Sequence, residues 1–274
     1  MAYGLLKGKR GIISGALDEN SIAWKVALKA KEEGATFTLT NAPIAMRMGA
    51  INELAKVCDA QIIPADATSV EDIEKLYIQS MDVLGGKVDF VLHSIGMSAN
   101  IRKGKEYGDL NYDWYLKSLD VSSLSLHKFL QVAERMDAIN EWGSVVALSY
   151  IAAQRTYPFY TDMAEAKAML ESIARSFGYR YGKAKNVRVN TISQSPTKTT
   201  AGSGIGGFDA FYEFAEKMSP LGNATADDCA NYTISLFSDL TRMVTMQNLF
   251  HDGGYSSTGI SEELVQMIQN QNKA

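Results

Sequence analysis

The sequence has little cysteine, little histidine and no excess of positive charge. Its 274 residues include only two cysteines, Cys58 and Cys229. Their positions fit no metal or redox spacing, so both are expected to be reduced thiols of the core. The three histidines, His93, His127 and His251, are not spaced as a metal triad, and no metal is expected. A net charge of −4 gives no electrostatic case for binding nucleic acid or an anionic membrane surface. No run of 18 apolar residues occurs, and the opening "MAYGLLKGKRGIISG" has no long apolar stretch before it enters a strand. The expectation is a soluble, cytoplasmic protein.

Hydrophobic residues make up 46% of the chain, enough for a sizeable core. Strand and helix patterns alternate along it. Strands are expected at 10–14, 35–40, 60–66, 88–94, 143–149 and 186–193, with a last one inside 243–254. Helical periodicity covers 21–34, 43–57, 69–85, a long region near 111–137, 160–182, 208–217 and 225–238. "DFVL" and "VVAL" are apolar throughout, which suits parallel strands buried on both faces. Strands alternating with helices predict an α/β fold, a doubly wound (Rossmann-like) parallel sheet of about seven strands with helices on both faces. No linker, repeat or composition break divides the chain, so one domain is expected over 1–274. Residues 194–207, "QSPTKTTAGSGIGG", hold four glycines after a strand's C-terminal end. Ligands bind at that end of such sheets, so a lid over the site is expected at about 194–217. A plain surface loop is the alternative.

The first strand leads into "SGALDENSIAW". Gly15 would let the chain turn sharply and let backbone approach a pyrophosphate. Ser21 could cap the following helix, whose N-terminal N–H groups favour an anion. On its own, such a segment can be a mere turn. Other positions join it at the same edge of the sheet. Asp66 ends the third strand, where a carboxylate could accept a bond from an adenine amino group or simply close a turn. Ser94, Ile95 and Gly96 end the fourth, where a glycine would let the chain pass close to a ribose. No basic residue directly follows the second strand, "LTNAP", which favours NADH over NADPH, although Arg47 is only five residues beyond Ala42.

The segment "YPFYTDMAEAK" carries the proposed chemistry. On a helix, seven residues advance about 700°, within roughly 20° of two full turns, so Tyr160 and Lys167 would share a face about 10 Å apart. Met163, one turn nearer, holds the place where common short-chain reductases keep the tyrosine that protonates a ketone. A methionine has no proton to give. In an α,β-unsaturated thioester the hydride goes to C3 while charge develops on the C1 oxygen, so the donor must stand farther from the nicotinamide. Tyr160 suits that task as a hydrogen-bond donor to the developing enolate. Lys167 would hold nicotinamide-ribose hydroxyls, and Tyr150, just after strand five, would add a second hydroxyl near the acyl chain. A tyrosine and a lysine at this spacing are commonly only packing and a solvated charge; their placement after strand five raises them above that.

Gly15-x5-Ser21-Ile22-Ala23, "HSIG" at 93–96, "LSY" at 148–150, Tyr160-x6-Lys167 and "ISQSPTKT" at 192–199 together resemble the enoyl-[acyl-carrier-protein] reductases, a divergent branch of the short-chain dehydrogenase/reductase family. The resemblance runs from "GKRGIISG" to "HDGGYS". It implies reduction of trans-2-enoyl thioesters on acyl carrier protein with NADH or NADPH, in a homotetramer. It places Tyr150, Tyr160 and Lys167 on the family's catalytic positions. It places Gly15, Ser21, Ile22, Asp66, Ala67, Ile95 and Thr197, Lys198, Thr199, Thr200 and Ala201 on cofactor contacts, with Ala42 beside the adenosine half. Ser98 falls near the thioester, and Met163, Ile205 and Phe208 would line the acyl pocket. Two features depart from the family. Gln194-Ser195-Pro196 stands where Ala-Gly-Pro is common, and the lid helix carries only Lys217 as a late basic residue. Carrier docking would then use Lys198, Arg102 or Lys103. The rival readings are a reductase of ketones or alcohols, which Met163 opposes, and a non-catalytic dinucleotide sensor, which Tyr160 and Lys167 oppose.

Overall fold

The structure, a computed structural model, describes residues 2–200 and 207–271, without the side chains of residues 47 and 48. Its strands are β1 (Arg10–Ser14), β2 (Thr36–Thr40), β3 (Gln61–Ile62), β4 (Val88–His93), β5 (Ile139–Ser149), β6 (Arg188–Gln194) and β7 (Asn248–His251). They form a seven-stranded sheet in the order β3-β2-β1-β4-β5-β6-β7. Every pairing is parallel. The chain order reverses between β1 and β4, and a crevice opens there beyond the strand ends.

Successive strand residues feed opposite cores, because side chains alternate across a sheet. Ile12, Val91 and Val145 face one cluster, with Leu76, Phe129 and Leu170 from the helices that cover it. Their neighbours Ile13, Leu92 and Val146 face the other, with Val26, Leu54 and Ile234. The first face is covered by α3 (Val70–Leu84), α6 (Ser125–Arg135) and α7 (Thr161–Lys185). The second is covered by α1 (Ile22–Glu32), α2 (Ala50–Cys58) and α9 (Ala226–Phe237). The sequence patterns of β1, β4 and β5 were apolar on both faces for this reason. Cys58 and Cys229 are free and buried, one on α2 and one on α9. Among the described residues no helix is long and apolar enough to cross a membrane, and no group of three or more His, Cys, Asp or Glu could hold a metal ion.

Several boundaries differ from expectation. The helix expected over 43–57 is broken: a 3₁₀ turn (Ala45–Met48) ends at Gly49, whose φ of +77° separates it from α2. The expected strand 60–66 shrinks to two residues. Pro64 has no N–H to give, although Ile63 and Ala65 still donate to Leu39 and Asn41 carbonyls along β2. The long helical region is α5 (Tyr112–Leu119) running through a π turn (Asp120–Leu124) into α6. Two further helices were not anticipated, the short α4 (Ala99–Arg102) and α10 (Glu262–Gln271). The expected helix at 208–217 is α8 (Phe208–Met218).

Candidate active site

β1, β4, β5 and β6 end together. Ser14 lies in register with His93, His93 with Ala147, and Ser149 with Ser193. The residues that follow, Gly15, Ser94, Tyr150 and Ser195, therefore form one rim. Gly15 has φ +93°, and a Cβ on it would stand 1.9 Å from the Ser94 carbonyl oxygen. Only glycine allows this crossing of β1 over β4. Gly96 borders the next part of the crevice: a Cβ there would lie 3.5 Å from Met163 Cε and 3.7 Å from Lys167 Nζ.

Lys167 is buried and donates from Nζ to the Leu148 carbonyl at 2.7 Å. Burial pushes its ammonium from 10.5 down to about 8, with the Glu171 carboxylate, one turn on, opposing the fall. Glu171 is itself buried and accepts from Ser149 Oγ (2.7 Å) and Gln154 Nε2 (2.9 Å). His93 is also buried, its Nε2 2.8 Å from Ser125 Oγ. Burial, helped by the Lys167 charge, holds the imidazole down to about 3, so it is neutral. It packs edge-on against Phe129 and is part of the core.

Tyr160 departs from the helical-face expectation. It occupies the N-cap position just before α7, and Thr161 after it has φ +32°, rare for a β-branched residue. Helical spacing does not fix Tyr160 relative to Lys167; this strained turn does. Met163 lies inside α7, one turn before Lys167, and both side chains border Gly96. The Tyr160 ring lies 5.0 Å from that of Tyr150, centroid to centroid. Tyr150 in turn packs against Tyr157 at 5.4 Å and Phe211 at 6.2 Å. Burial raises the phenols of Tyr150, Tyr157 and Tyr160 well above the ordinary range, so all three are protonated donors at neutral pH.

Asp162 was not singled out from the sequence, where an acidic residue in a helix's first turn looks like an ordinary partner of the helix dipole. It is fully buried. It accepts from Ser98 Oγ (2.7 Å), Thr161 Oγ1 (3.0 Å) and Asn100 Nδ2 (3.1 Å). Asn100 also accepts from the Asn111 N–H at 3.0 Å. One carboxylate thereby joins the segment after β4, the start of α5 and the start of α7. Ser98 is committed to this network, since its Oγ also accepts from the Ile101 N–H and caps α4. The Ser98 hydroxyl is thus engaged with Asp162 and the Ile101 N–H. Ser122, on the π turn, exchanges bonds with the Met97 backbone and reaches Met163 Sδ at 3.5 Å.

The remaining expected cofactor residues are placed as follows. Ser21 stands at the N-cap of α1 but does not cap it: Oγ donates to the Asp18 carbonyl (2.6 Å) and accepts from the Leu17 N–H (3.2 Å). The capping role is corrected, and the first-turn N–H groups from Ile22 onward have no side-chain cap, which suits an anion. Asp66 lies beyond β3, and its Oδ1 accepts from the Thr68 N–H (2.8 Å) and Oγ1 (2.7 Å). Those two bonds hold its carboxyl below the usual range and make it a turn-former. Ala67 and Ile95 both pack half-buried on the same core face. Ala42 donates to Asn41 Oδ1 at 2.8 Å, and Asn41 Nδ2 reaches the Ala16 carbonyl at 2.9 Å, tying β2 to the glycine segment.

The loop after β6 runs back toward that segment. Ser195 Oγ accepts from the Ala224 N–H at 2.8 Å, and Gln194 lies between the Ala224 carbonyl (3.2 Å) and His251 Nδ1 (2.7 Å). These side chains, where the resemblance suggests Ala-Gly, pin the loop to the α8–α9 connection and β7. Thr199 N–H donates to the Thr197 carbonyl, Lys198 Nζ lies 4.5 Å over the Tyr212 ring, and Thr200 Oγ1 donates to Asp18 Oδ2. Between them and α1 lies a cavity of about 230 Å³ bordered by Asn20, Lys25, Thr197, Lys198, Tyr212 and Thr225. It adjoins the α1 N-terminus rather than Tyr150 and Tyr160. Phe208 is buried and packs against Tyr212, whereas Phe211, one turn along α8, meets Tyr150 and Tyr157. Ala201 and Ile205 lie outside the described residues, as does the side chain of Arg47.

These residues fit a dinucleotide. The close approach at Gly15, the uncapped α1 terminus, and Gly96 with the buried Lys167 ammonium beside it all follow the C-terminal ends of neighbouring strands.

The model of the enoyl-(acyl carrier protein) reductase family matches residues 15–256. An NADH enoyl-[acyl-carrier-protein] reductase of Rhizobium meliloti is 33% identical over 270 residues, 94% of each chain. One of Rickettsia bellii is 35% identical over 264 residues, 94% of this chain and 98% of its own. The crystal structure of a FabI–NADH complex from Alistipes finegoldii superposes with a TM-score of 0.93 at 64% identity, covering 94% of this chain and 92% of that one. With its doubly wound sheet and a match over most of its length, the chain belongs to the enoyl-(acyl carrier protein) reductase family.

Proposed function

We propose that this chain is an NADH-dependent enoyl-[acyl-carrier-protein] reductase that reduces trans-2-enoyl thioesters during fatty acid elongation. The observation that carries the reading is the packing of the Tyr160 ring on Tyr150 and on Met163, with Met163 and the buried Lys167 both at Gly96. When bound, NADH supplies a hydride to C3 of the enoyl chain, leaving the former double-bond pair as an enolate on the thioester. Tyr160 donates to the thioester oxygen as its charge grows, and its raised pKa keeps the proton on the phenol. Lys167 holds the nicotinamide-ribose hydroxyls and keeps the local potential positive. Met163 fills the place from which a ketone would be protonated, so the site spares carbonyls.

The remaining contacts follow the same crevice. The α1 terminus at Ser21 and Ile22 receives the pyrophosphate, with Gly15 making room. Ser94, Ile95 and Gly96 border the nicotinamide ribose. Ala42, Asp66 and Ala67 border the adenosine, Asp66 through what its turn leaves free. Thr197 to Thr200 border the cofactor, and the segment about 194–217 serves as lid, with Phe208 toward the acyl chain. The backbone near Ser98, rather than its hydroxyl, meets the thioester. Acyl carrier protein docks on exposed Arg102, Lys103 and Lys198; Lys217 is engaged with Glu263 at 2.6 Å. The enzyme works as a homotetramer in the cytoplasm.

The test is to mix protein, NADH and crotonyl thioester and follow the nicotinamide absorbance, then repeat with a 3-ketoacyl thioester. Consumption of NADH with the enoyl substrate alone is the expected result. Consumption only with the ketone, or NADH binding without turnover, overturns the reading. Replacing NADH by NADPH is expected to slow the reaction.

A further inference from the structure

Reduction leaves an enolate that must gain a proton at C2, and nothing above supplies it. Tyr160 is occupied at the oxygen. The cluster beside it contains two more phenols with an unusual property. The hydroxyls of Tyr150 and Tyr157 are both buried, and among the described residues neither makes a well-formed hydrogen bond, although Tyr157 lies within hydrogen-bonding reach of both Tyr150 and Tyr255. Buried hydroxyls without partners are uncommon, and two adjoining ones call for a shared explanation. Their rings meet edge to face at 5.4 Å, and each hydroxyl lies within electrostatic reach of the other. Tyr255 packs half-buried against the same cluster, its phenol within reach of both. Phe211 closes the side, 5.5 Å from the Tyr157 ring. Three phenols thus adjoin in a file from buried Tyr150 through Tyr157 to half-buried Tyr255, with Phe211 along one side.

We propose that Tyr157 is a relay residue for this reduction, passing a proton from Tyr255 to Tyr150, which delivers it to C2. The inference rests on the enoyl-reductase reading and deepens it. C2 forms a bond to the proton of Tyr150 Oη as the enolate collapses to the saturated thioester. Tyr150 Oη takes the proton of Tyr157, Tyr157 takes that of Tyr255, and Tyr255 takes one from water, whose hydroxide the buffer neutralises. Burial disfavours a free phenolate on Tyr150, so the transfers occur together. Tyr157 does not touch the substrate. Its work is to refill Tyr150.

Tyr157→Phe tests this, because it keeps the ring and its packing and removes only the relay hydroxyl. The wild-type enzyme is first assayed with crotonyl thioester; no turnover there overturns the functional reading itself. With an active wild type, Tyr157→Phe is expected to lower kcat about tenfold. NADH affinity and melting temperature should be unchanged. The rate in mixtures of light and heavy water should curve in the wild type, from several protons in flight, and become linear in the variant. Tyrosine labelled with ¹³C at Cζ gives a readout without turnover: the Tyr150 resonance should move in the variant. Wild-type kcat in Tyr157→Phe, an unmoved Tyr150 resonance, or a loss matched by weaker NADH binding and lower melting temperature each overturns the relay.

Discussion

Lys167 makes stability and cofactor binding respond to pH in opposite directions, and the effect can be worked through. Its ammonium titrates near 8 in the folded protein against 10.5 in an unfolded chain. Below the folded value both states carry the proton, and stability is flat. Between the two values the unfolded chain binds the extra proton, so stability rises with pH, and above 10.5 it levels off. Between about pH 7 and about pH 9.5 the gain comes to about 2 kcal/mol. Lys167→Met lacks the titrating group and should lack the gain. The assay is urea unfolding of both proteins side by side at several pH values, taking the difference so that all other groups cancel. The wild type should gain about 2 kcal/mol relative to the variant across that range. Over the same range its affinity for NADH should fall if Lys167 meets the ribose as proposed, because that cation is lost. A difference in unfolding free energy that stays flat from neutral to alkaline pH would refute a depressed Lys167.

Other perturbations have equally definite outcomes. Tyr160→Phe should lower turnover with crotonyl thioester about 10²-fold while NADH binding by fluorescence stays near wild type. Asp162→Ala strands three buried or half-buried donors and should cost about 3 kcal/mol or more in urea unfolding. Gly15→Ala meets both a left-handed φ and the Ser94 carbonyl; a loss of about 3 kcal/mol is expected, together with loss of NADH binding in a fluorescence titration.

Much of the fold could be read from the sequence because its signals were physical necessities. "DFVL" and "VVAL" must be buried on both faces, and a parallel sheet with two cores is the arrangement that does so. Free, buried Cys58 and Cys229 followed from their spacing. The misreadings share a cause. Periodicity reports which residues are apolar, not where the backbone bends or pairs, so Gly49 broke a helix and the third strand kept only two paired residues. Tyr160 was read as helical because the apolar spacing continued across Thr161, whose positive φ no pattern reveals. Ser21 had the right residue type for a cap, but its hydroxyl found nearer partners in Leu17 and Asp18. Asp162, Tyr157 and Phe211 were passed over because their roles depend on neighbours distant in sequence. Tyr157, three residues before Tyr160, was visible as a second phenol in the same segment.

The network on Asp162 gives the proposed acyl side of the site a mechanical character. The exit of β4, the first turn of α5 and the head of α7 are riveted to a single carboxylate, while Met163 and Tyr160 flank it in sequence. A bulky guest that levers Met163 aside must drag this whole plate or shear its rivets. Accommodation of larger acyl chains or inhibitors is therefore expected from the aromatic α8 side, where Phe211 packs against the rings of Tyr150 and Tyr157.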